Sequence, residues 1–124
     1  MFAYMGDRYD VELEPEVRRW LDNLSLGDYR TVEYHADRLA ETPTTLGEPY
    51  SKHLTGAVRE LRFHLGRAAW RVTYWLAPQR RIVLLTVFRK TRNREAAEVE
   101  RAVAAQRTCQ EQHEAATHIY DREG

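Results

Sequence analysis

The order of periodicities along this chain predicts an α+β fold: an antiparallel sheet backed by a helical hairpin and followed by a C-terminal helix. Three observations carry it. Apolar residues recur at helical spacing from Val17 to Leu39, the period drops to two between Val58 and Phe88, and helical spacing returns from Ala96. Helices grouped apart from a run of consecutive strands mark α+β rather than α/β chains.

Taken in order, Tyr9–Leu13 alternates and reads as a short strand. Pro15 suits the first turn of a helix, and Glu14 and Glu16 suit its positive end. Val17, Trp20, Leu21 and Leu24 then form one apolar stripe. Gly27 breaks this helix and Asp28 is placed to cap a second, with Val32, Ala36 and Leu39 turned inward as far as Ala40. The breakers from Thr42-Pro43 to Gly47-Glu48-Pro49 make a loop.

The period then changes. Val58–Leu65 alternates strictly, setting Arg59, Leu61, Phe63 and Leu65 against Val58, Glu60, Arg62 and His64. Trp70–Leu76 sets Trp70, Val72, Tyr74 and Leu76 against Arg71, Thr73 and Trp75, which makes Trp70 and Tyr74 core residues, as Trp20 is on its helix. A turn over Pro78–Arg81 leads into a third, more apolar strand ending at Phe88. Short connections make these strands an antiparallel meander, with one face under the helical hairpin and the other open. Ala96, Val99, Ala102 and Val103 give the last helix, to about Gln112, small residues suited to close packing on the sheet. Residues 1–112 are expected to form a single domain, and 113–124 a tail of frayed helix or disorder.

With 124 residues, 43% apolar and 31% charged, the chain is expected to be one soluble globular domain. No apolar run approaches the roughly 18 residues of a membrane span, and the N-terminus lacks the pattern of a signal peptide. A lone Cys109 excludes a disulfide framework and a cysteine metal cluster, so a reducing cytoplasm is expected. His35, His113 and His118 are expected to face solvent, and the scattered histidines have no ligand spacing, so neither metal nor cofactor is expected.

The formal net charge is zero, yet the charge is segregated. Residues 1–49 carry five basic against eleven acidic residues, 50–94 carry eleven against Glu60 alone, and 95–124 carry three against seven. The middle segment, at +10, ends in Arg89, Lys90, Arg92 and Arg94 at the close of the last strand. Clustered arginine is the footprint of a polyanion or an acidic partner. If the sheet's open face collects Arg62, Arg71 and the Arg89/Lys90 strand end, it forms a shallow basic groove.

The residues of this basic segment also carry a resemblance. They are Lys52, Leu54 and Gly56; Glu60-Leu61-Arg62; Trp70-Arg71-Val72 and Tyr74; Phe88, Lys90 and Thr91; then Glu98-Val99 and Ala102. As an ordered set over residues 50–105 they resemble the RelE/ParE superfamily of type II toxin–antitoxin toxins, in its HigB-like, phage-related branch. The resemblance implies a twisted antiparallel sheet with a helical hairpin on one face and a C-terminal helix. It implies a ribosome-dependent mRNA endonuclease that inhibits translation, needs no metal, and cuts by attack of the ribose 2′-hydroxyl on the neighbouring phosphate. The implied partners are a cognate antitoxin, often a helix-turn-helix DNA-binding protein, the ribosome and mRNA; operator DNA is reached only through the antitoxin. The ParE-like branch of the same fold inhibits DNA gyrase and cleaves nothing, and a toxin reduced to antitoxin or RNA binding is a third reading.

The cleavage chemistry needs a group to take the 2′-hydroxyl proton, one to stabilise the pentavalent phosphorane and one to protonate the leaving oxygen. Arg62 and Arg71 match the family's strand arginines and are the expected phosphate and transition-state ligands, since a guanidinium is a fixed donor fork. Lys90 is a phosphate clamp or acid–base candidate, and His64, on the face of Arg62, a candidate proton shuttle. Lys52, His53, Arg89 and Arg92 are candidates for RNA or ribosome contact, whereas Arg94 reads as helix-start surface paired with Glu98. Glu60 is either a base or the residue that orders Arg62 and Arg71. Trp75 has packing, antitoxin contact or base stacking open to it. The final-helix tyrosine of some relatives has no counterpart here before Tyr120.

Overall fold

The seven expected elements follow one another in order, with one further strand, in the computed structural model, which describes residues 8–92 and 95–123, with side chains described as far as Gln112. They are β1 (Asp10–Leu13), α1 (Pro15–Asp22), α2 (Leu26–Glu41), β2 (Ser51–Thr55), β3 (Val58–Leu65), β4 (Ala68–Ala77), β5 (Arg81–Arg89) and α3 (Glu95–Glu123). The expectations for Arg94 and for the side chains of His113, His118 and Tyr120 lie outside the described residues.

Pro15 occupies the first turn of α1, as its fixed φ and missing N–H favour. The second helix begins earlier than the sequence reading has it. Ser25, not Asp28, is the N-cap, its hydroxyl accepting the Asp28 N–H at 3.1 Å, and Gly27 lies inside the first turn. A serine cap satisfies a helix-end donor that Asp28 could satisfy only by shortening the helix.

The strands form one five-stranded sheet in the order β1-β5-β4-β3-β2. β2 to β5 are an antiparallel meander, and β1 adds a parallel edge beside β5. Ser51–Thr55, placed before the sheet by the sequence reading, is itself an edge strand, turned back on β3 through Gly56 at φ +54°. The β4–β5 register slips between Thr73 and Tyr74: Thr73 opposes Thr86 and Tyr74 opposes Leu84, leaving Leu85 as a bulge.

Each face has its own core. Under the helical hairpin, Val17, Val32 and Leu39 pack with Leu61, Phe63, Val72, Tyr74, Ile82 and Leu84, flanked by Trp20 and Trp70 with ring centroids 5.2 Å apart. The buried Tyr74 hydroxyl is held by Ser51 Oγ at 2.6 Å. His35, expected in solvent, is half-buried and stacks on Phe63 with centroids 5.3 Å apart. The opposite face is not open along its length. Trp75, Ala77, Val83 and Leu85 bury against Ala105 and Cys109 of α3, because a row this apolar has to be covered. Trp75 is thereby a packing residue, its Nε1–H directed at Cys109 Sγ at 3.4 Å. Among the described residues no helix is long and apolar enough to cross a membrane.

Candidate functional site

Strand register sets which cations meet. On the α3 face, Lys52, Glu60, Thr73 and Thr86 form one row across β2 to β5, and Arg62, Arg71 and Phe88 form the next. Directly opposed residues of antiparallel strands share a face, so the two arginines stand side by side. His64, two residues beyond Arg62 and roughly 7 Å further along the strand, is exposed at the end of that face. Past the end of β5, the Lys90 N–H donates to the Ala69 carbonyl at 2.8 Å, which brings Lys90 to the same end of the sheet.

One carboxylate joins the two guanidinium groups. Glu60 Oε2 lies 3.4 Å from Arg62 Nε and 3.6 Å from Arg71 Nε. Glu48 Oε1 approaches Arg62 Nη1 at 3.9 Å, and Glu95 Oε1, in the first turn of α3, approaches Lys90 Nζ at 3.5 Å. Depth separates the cations: the Arg71 side chain is 8% exposed, that of Arg62 22% and that of Lys90 39%. Arg71 Nη1 donates to the Trp70 carbonyl at 3.1 Å, and its buried Nε has no hydrogen-bond partner among the described residues. The expected open groove is therefore a half-closed recess whose inner wall is Arg71, because α3 covers the rest of the face.

Burial acts on both charges. It pushes the Glu60 carboxyl above the ordinary carboxylate range, and the pull of Arg71 and Arg62 opposes this without cancelling it. It also lowers Arg71, and the neighbouring Arg62 lowers it further, while Glu60 counters both. A recess that strains two like charges together gains when an anion is shared between them.

The structure brings Arg62, Arg71, Lys90, Lys52 and His64 to one face or its end, and Arg92 lies exposed in the turn leading to α3. It does not bring His53 and Arg89 there. His53 opposes Arg59 on the hairpin-helix side, its Nε2 held at 2.8 Å by the Gly56 carbonyl, and Arg89 opposes Trp70 on that same side. Sequence reasoning passed over Arg67, exposed in the β3–β4 turn at the same end as Lys90; a glycine-arginine turn beside His64 is the signal that marked it. It also passed over Glu48 and Glu95, whose pairing with site cations no periodicity reveals. Among the described residues no three His, Cys, Asp or Glu side chains group as a metal site. Two guanidinium groups and an ammonium converging on a recess can bind a phosphodiester and neutralise charge that develops on it.

This fold has known counterparts. Residues 19–108 match the family described as Phage derived protein Gp49-like (DUF891), and the chain belongs to that family. Its fold is that of the RelE toxins. A free-state E. coli RelE carrying two arginine-to-alanine substitutions superposes with a TM-score of 0.55 at 18% identity, over 78% of this chain and 96% of that one. The RelBE2 toxin–antitoxin complex of Mycobacterium tuberculosis gives 0.52 at 20% identity, over 67% and 92%. The intact E. coli RelBE toxin–antitoxin complex gives 0.53 at 12% identity, over 68% and 99%. No curated protein matches the chain at a significant level.

Proposed function

We propose that this protein is the toxin of a type II toxin–antitoxin pair and acts as a ribosome-dependent mRNA endonuclease. The observation that supports it best is the cross-strand pair Arg62–Arg71, two guanidinium groups side by side with that of Arg71 buried at the back of a cationic recess. In this reading the scissile phosphate lies between the two guanidinium groups and Lys90 clamps a non-bridging oxygen of the adjoining phosphate. The 2′-oxygen loses its proton and attacks phosphorus. The P–O5′ bond then breaks, the 5′-oxygen takes a proton, and a 2′,3′-cyclic phosphate remains. Preorganised donors around the phosphorane supply the main stabilisation. His64, at the exposed end of the face, is the proton carrier in this scheme. Lys52, Arg67 and Arg92 contact backbone phosphates of mRNA or ribosomal RNA.

The proposed partners are an antitoxin that covers the basic recess, the ribosome and mRNA, in the cytoplasm; an antitoxin of helix-turn-helix type would carry the pair to operator DNA. The RelBE complexes among the structural counterparts support the antitoxin. Cleavage mapping by primer extension on a translated message, with and without ribosomes, tests the reading. Cuts are expected only on ribosome-bound message and are expected to vanish in Arg71→Ala. Intact message in both lanes sinks the nuclease and leaves gyrase inhibition, or binding alone, as the activity.

A further inference from the structure

We infer that Glu60 is the positioning residue of the anion site, holding Arg62 and Arg71 together at their Nε atoms so that both present their outer nitrogens to a single phosphate. This rests on the reading of the recess as a phosphodiester site. Glu60 is the only acid among residues 50–94, and it falls in the row next to the two arginines rather than on an outer surface. Its side chain is 4% exposed, so it lies beneath the guanidinium groups and does not compete with a ligand at the mouth. Two guanidinium groups on adjacent strands repel one another, and each is a flexible side chain with many rotamers. A carboxylate within 3.4 and 3.6 Å of both offsets part of the repulsion and fixes the pair. The Trp70 carbonyl holds Arg71 Nη1 and Glu48 lies near Arg62 Nη1, so that among the described residues Nη2 of each side chain is left for phosphate oxygens. The charged groups that face Glu60 are Arg62 on its own strand, Arg71 on β4, Lys52 on β2 and Glu95 at the start of α3. Three are cations that favour the ionised carboxylate; burial and Glu95 oppose it.

Simple electrostatics and positioning predict opposite signs. Removing the Glu60 charge makes the recess more positive, so a site governed by charge alone binds RNA more tightly. A site governed by positioning binds it more weakly.

The test is fluorescence anisotropy of a labelled 2′-O-methyl RNA oligonucleotide, which lacks the attacking hydroxyl and cannot be cut, against the full chain between pH 5 and 8. Glu60→Gln is expected to bind about tenfold more weakly than wild type at neutral pH, the equivalent of one charge-assisted hydrogen bond. Glu60→Asp, which keeps the charge but draws it back by one methylene, is expected to fall between them, and it decides the matter alone if the glutamine variant does not fold. Wild-type affinity is expected to approach that of the glutamine variant as pH falls and Glu60 takes up its proton. Equal or tighter binding by Glu60→Gln at every pH overturns the inference, as does equal binding with cleavage lost, which makes Glu60 a base. The functional reading fails separately. If wild type binds but never cuts translated message, the nuclease is lost and the positioning result stands. If Arg62→Ala and Arg71→Ala bind like wild type, or wild type does not bind, the anion site itself is lost and the inference with it.

Discussion

At the scale of single residues, the site is held by buried polar groups that no surface would need. Thr73 and Thr86 are both buried, with hydroxyls 2.5 Å apart, and Thr73 Oγ1 also accepts the Thr86 N–H at 3.1 Å. That N–H is displaced from the ladder by the Leu85 bulge, so the threonine side chain replaces a lost backbone partner. Thr73→Val keeps the volume but strands a buried N–H and a buried hydroxyl, and is expected to cost about 1–3 kcal/mol in denaturant unfolding with an unchanged m-value. His35 gives the residue-scale pH dependence. Burial, and then the nearby Arg38, lower its pKa below the ordinary 6.5, so the folded state binds its proton less readily than the unfolded chain. Stability from this group is present above pH 6.5 and is lost as pH falls from there through the folded value. Glu60 runs the other way: its raised pKa contributes stability below its ordinary 4.5, lost as pH rises through the folded value. His35→Phe retains a ring on Phe63 without the titration. Thermal melts of the two proteins from pH 7.5 to 5 are expected to diverge as pH falls, with wild type losing more. Parallel curves would remove His35 as the cause.

At the scale of elements, α3 is fixed to the sheet by side chains acting as strand edge. β1 ends opposite Leu84, so at Val87 β5 is paired with β4 on one side and has no strand neighbour on the other. There Glu16 Oε2 accepts the Val87 N–H at 3.0 Å, and Arg101 Nη2 donates to the Val87 carbonyl at 3.3 Å. Glu16 also pairs with Arg101 Nη1, and Glu98 Oε1 accepts from the same guanidinium at 2.8 and 3.0 Å, joining α1, β5 and α3. The Arg101 and Glu16 side chains are 42% and 33% exposed, so the ion pair itself contributes at most about 1 kcal/mol, and the backbone contact a similar amount. Glu16→Ala is expected to cost about 1–2 kcal/mol and to speed hydrogen exchange at Val87 before other β5 amides. Unchanged Val87 exchange would show that solvent already satisfies that amide. This scale also shows what sequence can reveal. Alternation over Val58–Leu65 and Trp70–Leu76 was legible because each strand has apolar side chains on one face and polar or mixed ones on the other. That placed Arg62 and Arg71 on one face. Burial of Arg71 under α3 was not legible, because Ala102, Ala105 and Cys109 show a helix with a small-residue face but not which side of the sheet it seeks. The Ser51–Thr55 strand was hidden because only Ser51 of its five residues is fully buried. His53 and Arg89 were grouped with the site by proximity in sequence, whereas strand register sends their side chains to the far face.

At the scale of the whole molecule, zero net charge decides how an anionic polymer can be held. The acidic flanks and the basic middle cancel at distances beyond the Debye length, about 8 Å at physiological ionic strength, so a net field cannot gather RNA from far away. Under the proposed function, RNA binding then rests on short-range contacts at the end of the sheet where Arg62, Arg71, Lys90 and Arg67 gather. Each phosphate neutralised by such a contact releases counterions, and for a single strand the salt dependence steepens by roughly 0.7 in log K against log salt per phosphate. If Arg62 and Arg71 share one phosphate and Lys90 takes another, the slope is small, with a magnitude of about 1.5 and growing only as Lys52, Arg67 or Arg92 add contacts. Arg62→Ala or Arg71→Ala alone is expected to leave the slope nearly unchanged, because the other arginine still neutralises the shared phosphate, and the double variant to reduce its magnitude by about 0.7. Arg18→Ala, on the exposed side of α1, is expected to leave the slope unchanged. Anisotropy titrations of the uncleavable oligonucleotide from 50 to about 300 mM salt read these slopes directly. Two separate decrements for the two arginines would mean two phosphates and a wider site than the Glu60-linked pair. A slope equally sensitive to Arg18 would mean that the field of the whole chain, and not the recess, holds the RNA.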